Sequence, residues 1–109
     1  MEYPLESRTF EFSKNVIFLC KRLPQNQYNK PLISQVLRSS TSVGANYCEA
    51  NGASSKSDFR NKIHICKKEA QETRYWLKLL EASNNTIDGL DGLIQEAHEF
   101  TLIFVKIAK

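Results

Sequence analysis

The sequence is poor in chain breakers: 109 residues contain only three prolines and four glycines. No alternating β-branched run bounded by turn residues occurs, so strands and hairpins are not expected and helices are. No apolar run approaches the roughly 18–20 residues a membrane helix needs. The N-terminal stretch MEYPLESRTFEF carries acids where a signal peptide carries a basic region, which leaves no sign of secretion. Cysteine is scarce and odd in number (Cys20, Cys48, Cys66) and lacks CxxC spacing, as in proteins of the reducing cytoplasm. Without a secretory signal, the Asn84-Asn85-Thr86 sequon carries no weight. A cytoplasmic, single-domain protein is expected.

What is present is helical periodicity. Residues 7–23 place Phe12, Val16, Leu19, Cys20 and Leu23 on one stripe, with Ser7 as the expected N-cap and Pro24 as the stop. Residues 30–51 follow, with Asn29 as the expected cap and Pro31 in the first turn. On that helix Ile33, Val36, Leu37, Ser40, Val43, Gly44 and Tyr47 share a face. The stretch RSSTSVGANYCEANG therefore continues a helix, and its small side chains fall in the middle of the buried stripe. Gly44 costs a helix about 1 kcal/mol relative to Ala, which a close approach by a neighbour at Ser40 and Gly44 would offset. Ser40, Val43, Gly44 and Tyr47 are thus the expected packing residues. Gly52 stands where a helix C-cap favours positive φ.

The third helix, residues 56–82, opens with Ser55 or Ser57 as N-cap and with Asp58 near the positive end of the dipole. Phe59, Ile63, Cys66, Ala70, Thr73, Leu77 and Leu80 form its core stripe. Residues 87–107 make the fourth, with Leu90, Leu93, Ile94, Ala97, Thr101, Phe104, Val105 and Ala108 facing the core. The pairs Asp88-Gly89 and Asp91-Gly92 loosen its first turn. Four amphipathic helices joined by short loops predict an all-α, antiparallel up-down-up-down four-helix bundle. Second apolar lines, Ile65/Trp76/Leu79 on the third helix and Phe100/Ile103/Ile107 on the fourth, exceed the needs of a lone bundle and predict an oligomer interface.

Little in the chain offers chemistry. His64 and Cys66 stand about 200° apart on a helix and cannot grip one ion. Cys48 and Glu49 have no histidine nearby in sequence to activate a thiol. Di-metal bundles use Glu-x-x-His, whereas Glu96 is followed at that spacing by Glu99. The glycine pattern fits neither a phosphate loop nor a nucleophile elbow. No catalysis, metal or cofactor is expected. Glu49, Glu69 and Glu72 are expected to tie helices two and three together, with Lys68 and Glu72 also spaced to pair at i, i+4.

Charge is the positive signal. Residues 1–80 hold 13 Lys and Arg against 7 Asp and Glu, while residues 81–109 hold 2 against 5. On the third helix Arg60, His64, Lys67, Gln71, Arg74 and Lys78 form one register with no acid in it, widened by Lys56, Lys62 and Lys68. Such a ridge suits a phosphate backbone, so Arg60, Lys67, Arg74 and Lys78 are the candidate nucleic-acid contacts, for RNA or DNA. The competing expectation is a protein-interaction adaptor that never touches nucleic acid.

The stretch LRSSTSVGANYCEANGASSKSDFRNKIHICKKEAQETRYWLKLLEAS resembles the four-helix-bundle proteins encoded by intervening sequences of bacterial 23S rRNA genes, a group that includes Avd of diversity-generating retroelements. The S-V-G-A-N-Y-x-E-A segment and the later I-C-K-K-E-A-x-E-T-x-Y-W-L segment carry the likeness most specifically. The resemblance spans roughly residues 10–106. It implies an antiparallel bundle assembled into a ring, typically a pentamer, with a basic surface and no enzymatic activity. For Avd-like members it implies partners in nucleic acid and a reverse transcriptase. The chain departs from the commoner family pattern at Arg38-Ser39, where Arg-Ala is usual, and at Asn46-Tyr47-Cys48-Glu49-Ala50, where Asn-Ile-Ala-Glu-Gly is usual.

Overall fold

A computed structural model describes residues 4–109; residues 1–3, part of the stretch read for a signal, lie outside the described residues. Four helices make up the fold: α1 Pro4–Arg22, α2 Asn29–Asn51, α3 Lys56–Ser83 and α4 Leu90–Ile107. No strand occurs among the described residues. Successive helices pack side by side, α2 with α3 and α3 with α4 most extensively, and the α1–α4 seam that closes the bundle is the thinnest. The molecule measures 44 × 23 × 20 Å.

The core follows the stripes. Phe12, Val16 and Leu19 of α1, Val36 and Val43 of α2, and Ile63, Cys66, Ala70, Leu77 and Leu80 of α3 are buried together. Phe12 meets Phe100 edge-on at 5.2 Å between ring centres, and Tyr47 leans on Phe104 at 6.0 Å. Here α4 corrects the expected faces. Phe100 is 0% exposed and belongs to the core, while Val105, expected inside, lies at the surface. The inward face of α4 is Leu90, Leu93, Ala97, Phe100, Thr101 and Phe104.

Three of the expected caps differ. Helix α1 begins at Pro4, a turn before Ser7, because that turn has tertiary partners: Leu5 packs on the core and Glu6 accepts a 2.8 Å hydrogen bond from Asn51 Nδ2. Asn29 is not the cap of α2: Tyr28 holds that position without a side-chain cap hydrogen bond, and Asn26 Oδ1 caps the turn that leads into the helix, accepting from the amides of Tyr28 and Asn29 at 3.0 and 2.8 Å. Asn29 is instead buried, exchanging two 3.0 Å amide hydrogen bonds with Asn84 at the far end of α3. Gly52 ends α2 at φ −99°, so it makes no use of glycine's left-handed freedom; Gly89 does, at φ +88°, leading into α4. Ser55 caps α3 as expected, accepting from the Asp58 amide at 3.0 Å.

The small residues of α2 face α1. A Cβ at Gly44 would stand 3.2 Å from Thr9 Oγ1 and 3.3 Å from Thr9 Cβ, so α1 packs tightly on α2 at this point. One turn away Ser13 Oγ donates to the Ser40 carbonyl at 3.0 Å, tying the two helices across the same contact. Val43 and Tyr47 are buried beside it.

Candidate nucleic-acid interface

Ion pairs orient α3 in the bundle. Arg38 of α2 reaches Glu69 at 2.9 Å and Glu72 at 2.6 Å, and Lys62 lies 3.6 Å from Glu49. Glu49, Glu69 and Glu72 thus join helices two and three, and Glu72 takes Arg38 rather than Lys68 as its ion partner. Hydrogen bonding to Arg38 holds the Glu72 carboxyl below the usual carboxylate range. Trp76 Nε1 donates to the same carboxylate at 3.3 Å.

The candidate contacts Arg60, Lys67, Arg74 and Lys78 occupy the other flank, toward α4, where Arg60 shares a cavity with Ile107 and Lys109. Among the described residues, none of these four makes an ion pair, in contrast to Arg8, Lys14, Arg38 and Lys62. Arg60 and Lys78 are exposed, and Lys67 and Arg74 are half-buried. The Arg74 Nε is enclosed and has no hydrogen-bond partner. His64 is exposed within the register. From Arg60 to Lys78 the strip runs about 27 Å at ~1.5 Å per residue. Near its Lys78 end a hydrogen bond with Asp91 holds the Glu81 carboxyl above its ordinary value, while Lys78 acts weakly in the opposite direction.

The thiols are quiet. Burial pushes Cys66 up to about 12 and Cys20 up to about 11, and Cys66 Sγ contacts the Val43 carbonyl at 3.6 Å. Cys48 is exposed, yet partial burial and then Glu6 raise it as well. All three are therefore thiols, not thiolates, near neutral pH. Among the described residues no group of three or more His, Cys, Asp or Glu is gathered for a metal.

The expected oligomer residues separate into three kinds. Ile65 and Ile107 are exposed, Trp76, Leu79 and Ile103 are half-buried, and Phe100 is core. A further apolar face was missed. On α1 Phe10 is 68% exposed and Ile17 and Phe18 are also open, as are Tyr75 and Leu102 elsewhere. Phe10 and Ile17 wall a groove of about 430 Å³ between α1 and α2, floored by Thr41, Gly44, Ala45 and Cys48. Their seven-residue spacing was a readable signal, hidden because charged Glu11 and Lys14 interrupt it.

Comparison with known proteins decides the relationship. The family model of the 23S rRNA-intervening sequence protein matches residues 5–106. The chain belongs to this family. It is also similar to a solved protein of unknown function from the S23 ribosomal protein family of Bacteroides thetaiotaomicron, at 36% identity and a TM-score of 0.85, covering 95% of this chain and 97% of that one. A search among curated proteins gave no match. This membership fixes the all-α bundle. The family is not a known enzyme family, and no described helix is long and apolar enough to cross a membrane.

Proposed function

We propose that this 23S rRNA-intervening sequence family member is a non-catalytic, homo-oligomeric cytoplasmic scaffold that holds nucleic acid without sequence preference along the α3 ridge. One observation carries the reading: Arg60, Lys67, Arg74 and Lys78 share a flank and have no carboxylate in ion-pair distance among the described residues. Unneutralised cations at regular spacing are what a phosphate backbone needs, and phosphate contacts position a strand without reading its bases. A ring, pentameric by the family resemblance, would repeat the strip in every subunit.

The test is retention of RNA and DNA at low salt by the parent and by the Arg60→Gln, Lys67→Gln, Arg74→Gln triple variant. The parent should hold both, and the variant should stay folded and lose affinity for every sequence alike. Equal retention by the two proteins would reduce the ridge to a solvated face.

The α1–α2 groove favours a second reading, an adaptor that binds protein there, with a reverse transcriptase as the partner the Avd resemblance suggests. A parent that holds no nucleic acid at low salt, yet binds a protein partner only while Phe10 and Ile17 are intact, would favour the adaptor.

A further inference from the structure

The ridge ends in a pocket. Where the loop before α3 meets the end of α4, a cavity of about 340 Å³ is lined by Ser54, Lys56, Phe59, Arg60, Ile107 and Lys109, together with Ala53 and Ser55. Three cations from two chain segments converge there, and no carboxylate side chain is among the lining residues. Asp58, the acid of that turn, is not among them, and its amide and that of Phe59 are already taken by Ser55 Oγ and the Ser55 carbonyl, both at 3.0 Å. The side chains of Lys56, Arg60 and Lys109 supply the charge of this pocket. Lys56 and Arg60 are one turn apart on the same face, and Arg can grip a phosphate with two parallel N–H donors. Phe59 and Ile107 add an apolar wall of the kind a nucleobase lies against.

We infer that this pocket receives the phosphorylated end of a nucleic-acid strand whose body lies along the ridge, an inference that rests on the ridge reading above. Arg60 belongs to both, so a strand leaving the pocket continues onto Lys67. The pocket selects an end over an interior because a terminal phosphate monoester carries about −1.5 to −2 charge at neutral pH, against a single charge on an internal diester. Three cations around one phosphate match the more highly charged group.

The experiment measures binding of one short single-stranded RNA carrying a 5′-phosphate, a 3′-phosphate or hydroxyls at both ends. A phosphorylated end should bind roughly two- to fivefold tighter than the hydroxyl form, the worth of one further exposed charge contact. Lys56→Gln with Lys109→Gln should abolish that preference and weaken hydroxyl-ended RNA less than the Lys67/Arg74 change does. Lys67→Gln with Arg74→Gln should weaken all three RNAs and keep the preference. Equal binding of all three RNAs by the parent, still weakened by the Lys67/Arg74 change, would overturn the pocket and leave the ridge standing. No binding of any RNA would remove ridge and pocket together. Adenosine 5′-monophosphate competing as well as the phosphorylated strand would overturn the strand-end assignment in favour of a free nucleotide.

Discussion

The two flanks of α3 treat charge in opposite ways. Toward α2, Lys62 lies against Glu49, and Glu69 and Glu72 take up Arg38. Toward α4, Arg60, Lys67, Arg74 and Lys78 make no ion pair among the described residues. The acids of α4 that form ion pairs, Glu96 and Glu99, turn to the far side and hold Arg8 of α1. A charge serves the fold or a ligand according to what the neighbouring helix places opposite it. One flank binds helices together, and the other is free to bind something else.

The largest effect is expected away from both flanks, where α1 packs on α2 at Gly44. Gly44→Leu would drive a side chain into Thr9 and should lower stability by about 1–3 kcal/mol or more, measured by chemical denaturation. Nucleic-acid binding per folded molecule should not change, since the ridge is on another helix. Arg38→Ala comes next. It strands Glu69, whose side chain is only 12% exposed, beside Glu72 and should cost about 1–2 kcal/mol, again with RNA binding unaffected.

A smaller effect follows from pH. The folded-state carboxyl of Glu72 is depressed by Arg38, so its contribution is complete above the unfolded carboxylate range and is lost as pH falls through the lower folded value. Because the pair is about a third or more exposed, the loss on acidification below ~4 should be under ~1 kcal/mol. Denaturation curves of parent and Arg38→Ala should converge slightly as the medium becomes acid. A gap that widened instead would contradict the pairing.

The core of α3 was legible because its apolar residues recur on one stripe with polar residues between them: Ile63, Cys66, Ala70, Thr73, Leu77 and Leu80 are all buried. Helix α4 was less so. Phe100, Leu102, Ile103, Phe104 and Val105 follow in a near-continuous apolar run, and periodicity cannot choose a face when nearly every position qualifies. Contact with Phe12 of α1 chose Phe100. The caps of α2 depended on a distant partner, since only Asn84 distinguishes the buried Asn29 from the capping Asn26. The ridge itself was visible in the sequence as a register. That it lacks carboxylate partners was not, because pairing is decided by helices that the register does not mention.

The most direct measurement is the salt dependence of RNA binding by the parent, the triple Gln variant at Arg60, Lys67 and Arg74, and a paired-flank variant with Arg38→Gln and Lys62→Gln. Each phosphate neutralised should add about 0.7 to the magnitude of the log–log slope for single strands. The ridge variant should therefore lose about 2 from that slope, and the paired-flank variant should keep the parent's slope. Equal slopes for the parent and the ridge variant, or a greater loss from the paired flank, would contradict the division of α3 into a flank that holds the fold and a flank that holds a ligand.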